Sequence, residues 1–383
     1  MESENEEKES ELPIVIKHIQ AGKLTLHLSQ GQERFDELIG LASRENQKRG
    51  FLFVSKVLGK HVPVKPSVMR KVYDELAARC CQQGDIVGDG DNINASNIYV
   101  IGMAETATGL GAGFADSLAQ QNPQLNVYYQ HTTRHVLADH QQWFSLCESH
   151  SHAVDHILYH PNQTIYDGIS KSQCLVLVDD EMTTGKTLLQ LAKGVLRKIP
   201  SIKKVIIVTL VSWLDSSAQK AYEQLPASVE FVQIIKGQFS FEPDPAFSAQ
   251  LPESVDRDLC EEESRDDLGR TGLKMPYRCG QISESFLPLQ KPAVVVGTGE
   301  HLYYPFLVAE HLEKTADIVF QSTTRSPILK GDAIERKTSF SAGGDKMHYI
   351  YNLPADRTPI ILCETDALRR VNGLLRGDGI DIT

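Results

Sequence analysis

Cys174–Leu196 reads CLVLVDDEMTTGKTLLQLAKGVL, and the fold follows from how that stretch divides. Four apolar residues, Leu175-Val176-Leu177-Val178, make a buried-strand pattern that ends in two acids, Asp179 and Asp180. A polar turn, Thr183-Thr184-Gly185-Lys186-Thr187, comes next, and a helical pattern then runs to Lys198. Strand, turn and helix in that order form the unit of a parallel α/β sheet, whose ligands bind at the carboxyl ends of the strands.

The same rhythm extends on both sides. Apolar, β-branched runs predict strands at Asn97–Gly102, Leu125–Tyr129, Lys204–Val211 and Val229–Ile235. Helical patterns lie between them at Thr108–Gln120, Gly185–Lys198 and Ser216–Leu225. Continuous apolar strands alternating with helices predict a parallel sheet covered on both faces. A second α/β segment begins at Lys291 and echoes the first. NIYVIGMAETATGLGAGFADSLAQ then NVYYQHTTRHVL is answered by PAVVVGTGEHLYYPFLVAEHLEK then DIVFQSTTRSPI. His156–Pro161 (HILYHP) is likewise answered by His348–Pro354 (HYIYNLP), with Arg134 to Tyr159 spanning 25 residues and Arg325 to Tyr351 spanning 26. Four matches in one order indicate an internal duplication. In the second copy Cys363-Glu364-Thr365-Asp366 replaces the acid-acid-Thr-Gly turn, so it is not expected to bind the same ligand in the same way.

Charge narrows the partners. The net charge of −11 is carried by residues 1–11, with a balance of −5, and residues 253–267, with a balance of −6, which leaves about zero for the rest. Acid confined to a tail and a linker repels itself and favours disorder there, and no basic footprint for nucleic acid appears. No apolar run nears the ~20 residues of a membrane span, and MESENEEKESELP lacks the form of a secretion signal. The seven cysteines are scattered without metal-site spacing. A cytoplasmic protein with reduced thiols, free of nucleic-acid and membrane partners, is expected.

Gly185-Lys186-Thr187 shares its ending with the G-x-x-x-x-G-K-[ST] loop that cradles a nucleoside triphosphate. Asp180 occupies the first glycine position of that loop, with Asp179 before it, and two carboxylates there repel a polyanion. A sugar monophosphate suits the stretch better. The turn and helix N-terminus offer amides and hydroxyls to one phosphate, and the acids suit ribose hydroxyls and, directly or through water, Mg²⁺.

At this point the sequence resembles the type I phosphoribosyltransferases, whose signature is four apolar residues, two acids and a Thr-x-Gly-x-Thr-like turn. The resemblance implies their parallel sheet with helices on both faces, here with a smaller α/β domain after it. It implies that Asp179 and Asp180 hold the ribose hydroxyls of phosphoribosyl pyrophosphate (PRPP) and the Mg²⁺, and that Thr183, Thr184, Gly185, Lys186 and Thr187 wrap the 5-phosphate. Gly102, Met103, Ala104, Glu105 and Thr106 become the pyrophosphate loop. Glu105 is unusual in such a loop, and three partners are open for it: Mg²⁺, the incoming nucleophile or Arg134. Thr183, at a position that is often acidic in purine-using members, resembles the orotate type.

His131–His160 is long for a connection and reads as an active-site flap, with Arg134 as a permanent cation for pyrophosphate. It holds seven of the chain's thirteen histidines. His150 and His152 are read as phosphate or base contacts, while His152, His156 and His160 would share one face of a helix and raise a metal site. Before the core, an N-terminal hood segment would bring Lys56, Lys60 and His61 to base or phosphate.

The run Thr324-Arg325-Ser326-Pro327 narrows the resemblance to phosphoribosyltransferases followed by a TRSP domain, encoded in tellurium-resistance (ter) stress clusters. GFLFVSKVLGKHVPV, GMAETATGLG, QHTTRHVL, ESHSHA and STTRSPILKGDAI look like that family's blocks and span about residues 25–363. The implied organisation is a disordered tail (1–11), a phosphoribosyltransferase domain with its hood (12–245), an acidic linker (246–290) and a TRSP domain (291–383). The implied activity is Mg²⁺-dependent transfer of ribose 5-phosphate from PRPP to a base or related nucleophile with release of pyrophosphate, in synthesis of a nucleoside-like metabolite. ATP-grasp ligases and phosphatases of the cluster are the implied partners, and a homodimer is expected by analogy with the fold. A regulator that binds PRPP or a nucleotide without turnover is the alternative, and an ATP-using enzyme fails at Asp180. For the TRSP half a ligand site, completion of the first site, and a scaffold all stay open.

Overall fold

The computed structural model describes residues 13–44, 49–83, 86, 97–137, 140–147, 154–247, 260–261, 269–277, 291–341, 347–364 and 380–381. Its first sheet has eight strands, in the order Ile14–Ile19, Gly22–Gln30, Ser228–Pro243, Lys204–Ser212, Cys174–Met182, Asn97–Gly102, Asn126–His131 and Leu273–Met275. The five from Ser228–Pro243 to Asn126–His131 run parallel, and the outer strands are antiparallel. Leu175, Val176, Leu177 and Val178 are wholly buried, as a strand covered on both faces requires. All five core strands predicted from apolar runs form, with ends moved by up to eight residues. The largest extension is in Ser228–Pro243, whose far half pairs with Gly22–Gln30. The helix expected at Ser216–Leu225 stops at Lys220, because Tyr222 turns inward and its hydroxyl donates to the Gly185 carbonyl at 2.6 Å.

From Asn97–Gly102 the chain crosses to Asn126–His131 on one side, then to Cys174–Met182 on the other. The carboxyl ends of these two central neighbours therefore flank a switch point, where open α/β sheets have a crevice. The two loops of interest leave from those ends.

The second sheet is parallel throughout: Ile318–Ser322, Ala293–Gly297, Thr358–Leu362 and Ile380–Asp381. This is the first sheet's own order from Asn126–His131 to Lys204–Ser212, so the duplication read from four sequence blocks is a duplication of topology. The details repeat as well. Gly102 pairs with His131 as Gly297 pairs with Ser322. Tyr159 donates to the His135 carbonyl at 3.0 Å and accepts the Leu137 amide at 2.7 Å; Tyr351 donates to Ser326 at 2.7 Å and accepts from Ile328 at 2.8 Å.

Each half lends a segment to the other. Val64 bridges Phe320 of the second sheet, and Leu273–Met275 joins the first, although it falls in the stretch read as a linker. Gly59 and Gly269 turn these segments with φ of 68° and 88°, values that glycine reaches without a Cβ clash. The halves also share one apolar core in which Val295, Phe306 and Phe320 are continuous with Leu110, Phe114 and Val178.

The Tyr351 corner generates a stability prediction. Tyr351→Phe removes a buried hydroxyl that satisfies two backbone groups, and is expected to cost about 1–3 kcal/mol in chemical denaturation of the full chain. Tyr159→Phe should cost a similar amount, and an unchanged transition in both would refute the account.

Candidate active site

Asp179 and Asp180 end the apolar part of Cys174–Met182, half-buried beside Glu181. The Asp180 amide donates to Asp179 Oδ1 at 2.9 Å. Burial, and then the neighbouring Asp180 charge, raise the Asp179 carboxyl well above the usual range, and burial also raises Asp180 and Glu181. Glu181 is answered by Arg49 at 2.6 Å. Three adjacent acids with one paired cation form a site that gains from a bound cation or hydroxyl donors. The carboxylates thus fit the Mg²⁺ and ribose expected of them.

After them, Gly185 caps the Lys186–Lys198 helix at φ 65°, a left-handed conformation in which a Cβ would stand 2.8 Å from the Tyr222 hydroxyl. Thr184 and Lys186 are exposed and Thr183 and Thr187 partly so, around the helix N-terminus. Free amides, hydroxyls and the positive end of the helix suit one phosphate group.

Across the crevice, the Met103 amide donates to the Val178 carbonyl at 3.0 Å and the Ala104 amide to Thr132 Oγ1 at 2.9 Å. These bonds fix the Gly102–Thr106 loop against the acid strand, with a cis peptide between Ala104 and Glu105. Gly102 is obligatory because a Cβ would lie 2.3 Å from the Ala107 carbonyl oxygen.

Glu105 meets partners from both halves. Its Oε2 lies 3.0 Å from Lys60 Nζ and accepts from Thr324 Oγ1 at 2.9 Å, and Oε1 stands 4.0 Å from Arg325 Nε. Burial alone would raise this carboxyl, but Lys60, Arg325 and Arg134, in that order, outweigh it and hold it at about 2. Of the partners open for Glu105 in the sequence, Arg134 acts only at longer range. The Arg134 guanidinium is exposed, and its backbone amide donates to Glu300 Oε1 at 2.9 Å.

Lys60 is 2% exposed, and its Nζ also donates to the Thr323 carbonyl at 2.9 Å. It bears on Asp180 as well, so it links the acid pair to Glu105. His61 is buried, which pushes its imidazole down to about 3 and leaves it neutral at pH 7. Lys56 donates to the Asp36 carbonyl at 2.7 Å. His150 and His152 lie outside the described residues. His156 sits in the strand Val154–Tyr159, which pairs with Gln142–Cys147, so the helical His152, His156 and His160 spacing does not form.

Arg270 and Glu364 had no assigned role in the sequence, and they meet at Glu300, the acid that answers Glu105 in the second copy's Gly loop. The buried Arg270 guanidinium bonds Glu300 Oε2 at 2.9 Å, Glu364 Oε1 and Thr133 Oγ1 at 3.1 Å. His135 Nε2 stands 3.9 Å from both acids, a donor set close enough for a metal ion, in which Arg270 already offsets one of the two carboxylate charges. Leu268-Gly269-Arg270 repeats Leu58-Gly59-Lys60, and that was the available signal.

With this geometry in place, family comparison is unambiguous. The chain belongs to a phosphoribosyl transferase family, whose model matches residues 38–238, and residues 275–375 match the TRSP domain that lies C-terminal to it. No curated protein matches the sequence. Among solved structures, it is similar to adenine phosphoribosyl transferase from Trypanosoma brucei, at 13% identity over 53% of this chain and 78% of that one, with a TM-score of 0.36. The Saccharomyces cerevisiae adenine enzyme matches at 11% over 51% and 95%, TM-score 0.35. Orotate phosphoribosyltransferase from Aeropyrum pernix matches at 16% over 49% and 78%, TM-score 0.27.

The Glu105 cluster generates two expectations. Lys60→Met strands a buried carboxylate and should cost about 3–5 kcal/mol, read as a lowered thermal midpoint. Because folding depresses Glu105 from 4.5 to about 2, its stabilisation is complete above the unfolded value and is lost as pH falls through the folded one. Acid titration of native stability should therefore lose about 3 kcal/mol over that window, at about 1.4 kcal/mol per pH unit, and Glu105→Gln should flatten that limb.

Proposed function

We propose that the chain transfers the ribose 5-phosphate of PRPP to a base-like nucleophile and releases pyrophosphate. The observation that carries this reading is the pairing of two strand ends at the switch point, the acid pair and phosphate turn on one and the Gly102–Thr106 loop on the other. Breaking the bond from ribose C1 to pyrophosphate develops positive charge on the sugar and negative charge on the leaving group. A catalyst must present donors preset for the latter. In this reading Thr183–Thr187 anchor the 5-phosphate, Asp179 and Asp180 orient the ribose hydroxyls, and the Gly102–Thr106 loop receives the pyrophosphate. Mg²⁺, when held at Asp179 and Asp180, would offset charge on the departing pyrophosphate. The acids' raised proton affinity supports their need for such a counter-charge.

Thr183 favours an acceptor handled in the orotate manner. A nucleoside-like product, its stress setting, and ATP-grasp and phosphatase partners follow from the sequence blocks shared with the TRSP-containing family. Residues 12–245 and 291–383 are proposed as the two units of the chain.

Calorimetry of PRPP binding with and without Mg²⁺ tests this reading. Mg²⁺-dependent binding is expected, reduced at least tenfold in Asp179→Asn/Asp180→Asn, as for loss of hydrogen bonds to charged groups worth about 1.5–3 kcal/mol each. Binding indifferent to those acids would exclude it.

A further inference from the structure

Resting on that reading, we infer that the second half serves the first as a built-in partner subunit, and that Arg325 is the cation that receives pyrophosphate at the Gly102–Thr106 loop.

The inference starts from a reciprocal exchange. By the repeated backbone bonds, Glu105 corresponds to Glu300, Thr133 to Thr324 and Arg134 to Arg325. Each acid is bound by the opposite copy. Thr324 donates to Glu105 at 2.9 Å, and Thr133 donates to Glu300 at 2.5 Å. Lys60 and Arg270 follow the same exchange. Lys60 joins Glu105 of one copy to the Thr323 carbonyl of the other, and Arg270 joins Glu300 to Thr133. Thr132 of the first copy's own corner holds the Ala104 amide, whereas Glu105 is met by the TRSP corner, 219 residues away at Thr324. Arg134, expected from sequence to serve that loop, bears on Glu105 less than Arg325 does, while its backbone amide binds Glu300 of the second loop.

Charge explains why a corner from the other half is needed. A carboxylate inside an amide loop repels pyrophosphate. Lys60 and Arg325 beside Glu105 turn a local −1 into +1, and the Arg325 side chain is 21% exposed. A planar guanidinium grips phosphate oxygens in pairs. His348 supplies a second, independent observation. It is 8% exposed, its Nδ1 has no hydrogen-bond partner among the described residues, and it lies within electrostatic reach of Glu105 and Arg325. An orphaned buried nitrogen is costly, and a bound ligand beside that corner would satisfy it.

The second copy has lost the matching use. The Met103 amide bonds Val178 as the Thr298 amide bonds Leu362, at 3.0 and 3.3 Å, which sets Cys363 opposite Asp179 and Glu364 opposite Asp180. A thiol in place of the first acid, with Glu364 bound by Arg270, leaves no pair of acids for ribose. Its Thr-Arg corner keeps a role only at the first site.

The test is binding of pyrophosphate and of PRPP to the full chain in Mg²⁺. Arg325→Gln is expected to weaken pyrophosphate roughly 10- to 100-fold, from a lost charged contact of about 1.5–3 kcal/mol at 1.4 kcal/mol per decade. Arg325→Lys, which keeps the charge and loses the fork, should lose less, and Arg134→Gln should lose less than Arg325→Gln. Thermal midpoints identify any unfolded variant, and Arg325→Lys then carries the comparison with native. Native affinity in folded Arg325→Gln and Arg325→Lys overturns the inference, as does a larger loss from Arg134→Gln. If PRPP binding still depends on Asp179 and Asp180 in that case, the proposed function survives. A native chain that binds neither ligand overturns both.

Discussion

The two halves of this chain are held in register by largely buried carboxylates whose partners come from both halves. Glu105 takes Lys60, Thr324 and Arg325, and Glu300 takes Arg270, Thr133 and the Arg134 amide. A buried charge without its partner costs several kcal/mol, whereas its presence adds little over an apolar contact. Such pairs therefore select one arrangement of the halves more than they strengthen it. The shared apolar core supplies the adhesion, and the acids fix where Thr324 and Arg325 come to rest. The Gly102–Thr106 loop itself is held opposite Asp179 and Asp180 by its Met103 and Ala104 amides, and the contacts between halves add Thr324 and Arg325 at Glu105.

The site also shows how a fold distributes electrostatic stress. Glu105 and Glu300 are driven toward ionisation by neighbouring cations, while the half-buried Asp179 and Asp180 are driven the other way. Structural acids are compensated within the protein. The strand-end acids are under-compensated, the state expected of groups whose counter-charge arrives with a ligand. That contrast within one small region sets Asp179 and Asp180 apart from Glu105 and Glu300 without appeal to any relative.

Much of this was legible in the sequence, for local reasons. Buried parallel strands are continuously apolar, so Leu175–Val178 and Val205–Val208 declare themselves. The acid pair and Gly185 are local chemistry at a strand end and a helix cap. The duplication was legible too, but a repeat does not say whether its corners face their own loops or the other copy's. Thus Arg134 was read at the first loop, where the structure also brings Arg325 from the other copy. Pairing of Gly22–Gln30 with Ser228–Pro243 joins residues about 200 apart and leaves no local pattern. Arg270 was hidden in the stretch read as an acidic linker. Glu364 read as decay of a signature, when its carboxylate in fact holds the Gly299–Glu300 turn through the Glu300 amide at 3.1 Å.

Covalent linkage of the two copies changes how such a site can evolve and operate. In a symmetric homodimer every substitution appears twice, so a residue cannot improve one site without altering the other. Here the copies mutate independently, which lets Cys363 and Glu364 stand where Asp179 and Asp180 do, while Thr324 and Arg325 persist. Tethering also replaces association between molecules with contact inside one, at an effective concentration set by the chain. The paired corners therefore stay assembled at any dilution, and the work per molecule should not fall as the protein becomes scarce.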